Sequence, residues 1–190
     1  MRIFVLLFVL TASASAQITT SKIGDFPPLR VQALVGTREH ATGHTGYHKE
    51  MQITPKLIVE GTSTMAPIPA AEATMVVISM DTRAKYVEHK EIWKVTSVET
   101  IQLPAVGMGG RREFNFAETS LKFDGDRDTS NVGGEVYKTF ICGIRDPTTR
   151  SLIYFYSPDF QLANYCKAHP EKRDEFLSMS KGSNLPSDLK

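Results

Sequence analysis

The amino-acid sequence predicts a mainly β fold, an antiparallel β-sandwich of immunoglobulin-like type that ends in a short C-terminal helical segment. Two observations support this class, and a third is a departure from antibody domains. About seven or eight short apolar runs follow one another at spacings punctuated by turn residues. A hairpin pattern occupies residues 133–158, and the apolar periodicity becomes helical only after it. Trp93 precedes both cysteines, so the Cys–Trp–Cys spacing of antibody domains is absent.

The hairpin pattern at residues 133–158 is the strongest structural signal. One phase of its first run contains four apolar residues: Val136, Phe140, Cys142 and Ile144. The other phase carries apolar residues as well, which predicts a central strand with both faces covered. Asp146 and Pro147 then predict a turn, because Asp accepts backbone hydrogen bonds and Pro presets φ. Residues 152–156 are expected to return antiparallel.

Residues 1–16 have the composition of a secretory signal. Arg2 precedes an apolar core at residues 3–10, and small residues follow, so cleavage is expected before Gln17. The core is far shorter than the roughly 20 apolar residues of a transmembrane helix, so no transmembrane anchor is predicted. Cleavage removes one basic and no acidic residue, which leaves 21 of each. A mature chain without net charge is not expected to bind nucleic acid, and we expect it to be secreted or periplasmic.

The mature chain is predicted to form one domain with two terminal extensions. Residues 17–28 are polar, end in two prolines and are expected to be an extended lead-in. Residues 29–179 are assigned to the β-sandwich and its terminal helices. Residues 180–190 are polar and are expected to be a flexible tail.

Strands and helices are placed by periodicity and by turn residues. Besides the hairpin, strands are expected at residues 29–35, 51–60, 72–80, 86–103, 113–116 and 120–123. Pro55 within the second of these runs favours an edge position or a bulge. Ser157 as a cap and Pro158 as the first helical residue predict one helix, and a second short helix is expected over residues 171–179.

The two cysteines are Cys142, on the predicted central strand, and Cys166, in the predicted helix. An exported chain meets oxidising conditions, so the pair is a candidate disulfide that would anchor the helix to the strand. The alternative is two buried free thiols that behave as small apolar residues. A thiol catalyst or a cysteine-bound metal is not predicted, because neither residue lies in a C-x-x-C pair or beside a histidine.

The acidic segment at residues 124–135 is a candidate calcium site. Oxygen donors stand at its first, third, fifth, seventh and twelfth positions: Asp124, Asp126, Asp128, Ser130 and Glu135. This spacing resembles the EF-hand loop, in which alternate carboxylates converge on one ion. Thr129 stands where that loop has glycine, and the flanks are predicted strands. The alternative is a solvated loop that caps its own turns through Asp and Asn side chains.

Three histidines, His40, His44 and His48, recur at every fourth position. On a helix this spacing would place three imidazoles on one face, where they could bind zinc or copper. Gly43 and Gly46 disfavour such a helix, so exposed histidines in a loop are the simpler interpretation.

Four aromatic residues could form a platform on which sugars or peptides stack: Trp93, Tyr137, Tyr154 and Tyr156. Aromatic side chains on strands mostly fill cores and cross-strand pairs, and we favour that interpretation here.

The sequence carries no motif for nucleophilic catalysis or for an organic cofactor, so neither catalytic nor cofactor-binding residues are predicted. The favoured function is a secreted, non-catalytic module that binds a protein or a cell-envelope component. One alternative is a secreted hydrolase with dispersed active-site residues, in which the acidic loop at Asp124–Asp128 meets the segment from His40 to His48. A calcium- or carbohydrate-binding module is the other alternative.

Overall fold

The chain folds into two antiparallel β-sheets and a helical layer. The computed structural model describes residues 19–21, 27–42, 47–63, 66–125 and 132–189. The first sheet contains β1 (Thr19–Ser21), β2 (Leu29–Ala41), β3 (His48–Gly61), β6 (Arg111–Asn115) and β7 (Thr119–Asp124). The second sheet contains β4 (Ala71–Asp81), β5 (Trp93–Leu103), β8 (Glu135–Arg145) and β9 (Leu152–Tyr156). The helices are α1 (Thr82–Tyr86), α2 (Phe160–Ala168) and α3 (Lys172–Leu177).

The prediction of a mainly antiparallel β fold is confirmed. The first sheet has the order β1-β2-β3-β6, with β7 also paired to β3, and the second has the order β5-β4-β8-β9. In immunoglobulin domains the first, second, fifth and fourth strands share one sheet. The order found here differs, because β4 and β5 lie in the second sheet and not with β1 and β2.

The two sheets pack face to face around a first core. Each strand contributes alternate residues: Leu29 and Val31 from β2, Ile53 and Leu57 from β3, Met75 and Val77 from β4, and Phe140 and Ile144 from β8. Full burial of one such side chain contributes about 1.5–3 kcal/mol to the free energy of unfolding. This shared core gives the molecule its sandwich-like arrangement.

A second core covers the other face of the second sheet. Ile78, Trp93 and Ile141 on the strands contact a layer formed by Leu162 of α2, Phe176 of α3 and the chain that follows α3. This explains why β4 and β8 are apolar in both phases, as the sequence of the hairpin predicts for a central strand.

A bulge at Lys138 changes which face each end of β8 presents. Ile78 pairs with Thr139 but Ser79 pairs with Tyr137, so Lys138 is an extra residue in the ladder. As a result Val136 packs against the second core, whereas Phe140 faces the first. The expectation that the two residues share one face is therefore wrong, since simple alternation breaks at the bulge.

Pro55 lies in a central strand, not at an edge. A proline cannot donate a backbone hydrogen bond to a neighbouring strand, but no such bond is needed at this position. β7 pairs with β3 only as far as Ile53, and β6 pairs with it only from Lys56 onwards. Pro55 falls between the two, where the neighbouring strand is interrupted and a residue without an N–H group is tolerated. Its carbonyl accepts a hydrogen bond from the Phe116 N–H at 3.1 Å.

The turn after β8 forms as the sequence predicts. The Asp146 carboxylate accepts hydrogen bonds from the backbone N–H groups of Thr148 and Thr149, at 2.7 and 3.2 Å. These hydrogen bonds lower the pKa of Asp146.

The first predicted helix begins two residues later than expected. Asp159, not Ser157, is the N-cap of α2, and its carboxylate accepts from the Leu162 N–H at 3.1 Å. Pro158 therefore precedes the cap, and the first helical residue is Phe160.

Both terminal extensions take part in the sheets. In the lead-in, Thr19–Ser21 form β1 and pair with the start of β2. At the other end, residues 182–185, which composition assigns to a flexible tail, lie along the edge of β5, and Leu185 and Leu189 are buried in the second core. The predicted signal peptide lies outside the described residues. None of the helices within the described ranges has the length and apolarity needed to cross a membrane.

Candidate functional site

Four polar side chains meet at the start of β8, on the face of the second sheet that is turned towards the first. The strand registers place Ser79 opposite Lys94, and Asp81 opposite Glu135. Lys94 Nζ lies 3.3 Å from Asp81 Oδ2 and 3.4 Å from Glu135 Oε1. Ser79 Oγ donates a 2.5 Å hydrogen bond to Glu135 Oε2. We call these four residues the Lys94 cluster.

Two members of the Lys94 cluster, Lys94 and Asp81, have shifted pKa values. Burial lowers the pKa of Lys94, but the hydrogen bond to Asp81 and the charge of Glu135 outweigh burial, so the pKa lies above its usual value. Burial raises the pKa of Asp81, yet hydrogen bonds from the Ala84 N–H and from Lys94 bring it below its usual value. Lys94 is therefore a protonated amine and is not suited to act as a nucleophile.

Ser79 is the only hydroxyl group in the Lys94 cluster, and it is fully buried. A serine nucleophile needs a base that accepts its proton and an open path to the substrate. Glu135 accepts the hydrogen bond, but Ser79 is not accessible to a substrate. The contacts of the cluster link three strands, β4, β5 and β8.

An open cleft of about 620 Å³ lies next to the Lys94 cluster, where β3 begins and β7 ends. His48 and Lys49 line it from β3, and Lys122 and Phe123 line it from β7. Gly134 lines it too and connects the cleft to the cluster, because it directly precedes Glu135. Its carbonyl accepts hydrogen bonds from the Thr82 N–H and hydroxyl.

Gly134 allows two segments that line this cleft, the start of β8 and the end of β7, to approach each other closely. Its φ is +90°, a value that side chains disfavour, and a Cβ at this position would lie 2.6 Å from the Phe123 Cα. The start of β8 can therefore pass directly against the end of β7.

The charges along the cleft are mainly basic. Lys49 Nζ lies 3.8 Å from Glu39, a distance typical of a weak, exposed ion pair. Lys122 forms no ion pair within the part of the chain that the structure describes. Phe123 is half-buried and packs against the first core. The cleft thus combines two lysines, a histidine and an aromatic residue with one carboxylate, Asp124.

Two of the five predicted calcium ligands lie in the described residues, at the two ends of the acidic segment. Asp124 is buried at the end of β7, where its N–H donates to the Gly133 carbonyl at 3.0 Å. Glu135 begins β8, and its two carboxylate oxygens are held by Ser79 and Lys94. Asp126, Asp128 and Ser130 lie outside the described residues, so the calcium site stays a prediction.

The predicted histidine motif is divided between two strands. His40 is on β2, where its Nε2 lies 3.6 Å from Glu50, and His48 is on β3, opposite Asp124. His44 lies outside the described residues. Across the described ranges, no group of three or more His, Cys, Asp or Glu side chains is arranged to hold a metal ion.

The predicted aromatic residues belong to the cores. Trp93 and Tyr154 are buried, and Tyr137 and Tyr156 pack against the first core. Tyr156 contacts Phe140 and Tyr154, with ring centroids 5.9 and 6.4 Å apart. This agrees with the interpretation of core and cross-strand pairs and not with a stacking platform.

The predicted disulfide between Cys142 and Cys166 is wrong, and both residues are buried free thiols. Cys142 points into the first core between the sheets, whereas Cys166 of α2 packs into the second core on the other side of the second sheet. Burial raises the pKa of Cys142 to about 12 and that of Cys166 to about 11. The two thiols are therefore neither bridged nor reactive.

Comparisons with known proteins identify no family for this chain. No protein-family model and no curated protein matches it. Among solved structures, a crystal structure from Akkermansia muciniphila is similar over 92% of this chain and 90% of its own, with 12% sequence identity and a TM-score of 0.33.

Proposed function

We propose that this chain is an exported, non-catalytic binding module that holds a protein or a cell-envelope component in the cleft between the start of β3 and the end of β7. The observation that carries the proposal is the lining of this cleft, which includes Lys49, Lys122, His48 and the half-buried Phe123. Open concave sites that combine an apolar surface with a few polar groups are typical of ligand binding.

The chemistry of the lining indicates the kind of ligand. Lys122 has no acidic partner in the described part of the chain, and the pair of Lys49 with Glu39 is long and exposed. An acidic group can therefore approach both ammonium groups without first breaking a buried ion pair. Phe123 adds an apolar contact, so an acidic peptide with an aromatic or aliphatic residue is the best match.

The test is binding of a fluorescent peptide of glutamates around one phenylalanine, with a lysine-based peptide as the control ligand. We expect Lys122→Glu to weaken binding of the acidic peptide by about tenfold, because the change replaces attraction by repulsion. Lys167→Glu, on the exposed side of α2, makes the same charge change away from the cleft and should leave binding unaltered. Equal binding by the two variants, or no binding of the acidic peptide by the wild-type chain, would overturn the proposal.

Export is tested separately. Expression of the whole chain in a host with a general secretory system, followed by N-terminal sequencing of the product, should show a mature chain that starts at Gln17. A product that keeps Met1 and stays inside the cell would contradict export without affecting the binding experiment.

A hydrolase is the second candidate, and one observation favours it. The register of β3 and β7 brings His48 opposite Asp124, so one histidine of the predicted motif does meet the start of the acidic loop. A His48→Ala, Asp124→Asn double variant should lose any activity that the wild-type chain shows on a panel of ester, peptide and glycoside substrates. Equal and negligible turnover by both proteins would remove this candidate.

A further inference from the structure

The C-terminal segment at residues 182–189, here called the C-terminal strap, completes the edge of the second sheet. The Val95 N–H donates to the Ser183 carbonyl at 2.9 Å, and the Val95 carbonyl accepts from the Gly182 N–H at 2.8 Å. The Leu185 N–H donates to the Trp93 carbonyl at 2.9 Å. Asn184 lies antiparallel to Lys94, so the strap behaves as a short extra strand on β5.

Two leucines anchor the C-terminal strap beside an open surface pocket. Leu185 and Leu189 are buried in the second core. The pocket, of about 290 Å³, lies between Trp93 of β5 and Pro186 and Ser187 of the strap. Asn184 and Ser187 of the strap are exposed. The strap is therefore attached by two leucines and a few backbone hydrogen bonds, with one side open to solvent.

The connection from α3 to the C-terminal strap allows it to swing away. Ser180, Lys181 and Gly182 are exposed, and Gly182 has φ of +87° with no atom near the position of a Cβ. The Ser183 N–H closes a single turn onto the Ser180 carbonyl at 3.1 Å. Because so few contacts fix this connection, the strap can leave the sheet while α2 and α3 stay in place.

We propose that the edge of β5 at Trp93 and Val95 is an interaction surface that accepts the C-terminal strap of a second copy of this chain. An open edge strand presents unpaired N–H and C=O groups to any extended segment. The C-terminal strap is a segment that fits this edge, because it forms three backbone hydrogen bonds with β5 and buries two leucines four residues apart. A second copy carries the same segment. Exchange restores every contact that opening removes, which is the basis of reversible strand exchange between identical chains.

The first experiment uses a labelled peptide with the sequence of residues 182–189 and the full-length chain. Its own strap competes with the peptide, so apparent affinity rises with the fraction of chains in which the strap is open. Leu185→Ala weakens the strap and should tighten peptide binding by about tenfold relative to the wild-type chain. Leu34→Ala, on the first sheet, removes a half-buried leucine elsewhere and should bind the peptide as the wild type does. A peptide that carries Leu185→Asp should not bind.

The second experiment needs no variant. Hydrogen exchange of the wild-type chain should show the Val95 amide exchanging faster than the amides of β4, and added peptide should slow it. Two differently tagged wild-type chains, concentrated together and then diluted, should yield a mixed dimer by size-exclusion chromatography with light scattering. The proposal would be overturned by exchange at Val95 that equals exchange at β4, by peptide binding that does not depend on Leu185 of the chain or of the peptide, or by the absence of a mixed dimer.

Discussion

Gly143 of β8 and Leu177 of α3 are in direct contact across the second core. A Cβ at position 143 would overlap Leu177 Cδ1 and would lie 2.9 Å from its Cδ2. The absence of a side chain therefore sets how closely α3 approaches the sheet. The Arg145 guanidinium binds Asp174 of α3 beside this contact, so one end of β8 holds the helix through packing and charge.

Gly143→Ala is expected to destabilise the chain by about 1–3 kcal/mol, because the new methyl group overfills a packed site. Urea unfolding followed by circular dichroism measures the change. Gly36→Ala is the matched control, since a Cβ there meets only the Thr54 carbonyl at 3.8 Å. A Gly143→Ala, Leu177→Ala double variant should lose less stability than the sum of the single variants. Full additivity would show that the two residues do not interact.

Lys94→Met is expected to reduce the free energy of unfolding by about 1–2 kcal/mol near neutral pH, because it leaves two neighbouring carboxylates without their shared cation. Lys56→Met is the control, since Lys56 and Glu113 form an exposed pair. That change should lower stability by well under about 1 kcal/mol. Equal losses would mean that the Lys94 cluster is no stronger than a surface ion pair.

Asp81→Asn is expected to make the chain less sensitive to acid. The pKa of Asp81 lies below its usual value of 3.8 in the folded chain, so its stabilising contribution is present above that value. The contribution is lost as the pH falls through the lowered pKa. Asparagine can still cap α1, so stability of the variant should fall less steeply in acid. Glu118→Gln, at an exposed position, is the control, and parallel acid-unfolding curves for wild type and Asp81→Asn would contradict the prediction.

Alkylation under native conditions is expected to leave both thiols unmodified, while alkylation in denaturant modifies two, with or without prior reduction. The reason is that Cys142 and Cys166 are buried on opposite sides of a sheet and have raised pKa values. Intact-mass measurement distinguishes the states, and Cys166→Ala assigns the modified residue. A product that takes up alkylating agent only after reduction would show that a disulfide forms.

Calcium is expected to raise the melting temperature if the segment that starts at Asp124 binds the ion, since a ligand that binds only the folded state stabilises it. Asp124→Ala should abolish this increase. Glu135→Gln should lower the melting temperature equally with calcium and with chelator, because Ser79 and Lys94 already hold its carboxylate. Magnesium is the control ion, as it demands a stricter octahedral shell. A melting curve indifferent to calcium would leave the solvated-loop interpretation.

Local patterns in the sequence predict much of the sandwich but little of its polar site. The alternation in β2 and β3 and the double-sided apolarity of β4 and β8 are visible because burial imposes a period of two. The Lys94 cluster has no such trace, since Ser79, Lys94 and Glu135 meet only once the register of three strands is fixed.

Two further features were hidden for the same reason. The C-terminal segment is polar by composition. Only its two leucines, four residues apart, indicate that one side of it packs in the second core with Trp93. The cysteines look compatible with a bridge until the sheet between them is known. The C-terminal segment and the cysteine pair both depend on which face of the second sheet a residue packs against. Spacing along the chain does not reveal that face.

The bulge in β8 determines how the length of this strand can vary. Because Lys138 is the extra residue opposite β4, a chain that lacked it could form a regular ladder in which Tyr137 and Phe140 keep their faces. Deletion of Ile141 would instead move each preceding residue of β8 to the opposite face of the sheet, and Phe140 would leave the first core. Position 138 is thus a place where the central strand can shorten by one residue without exchanging the side chains that belong to the two cores.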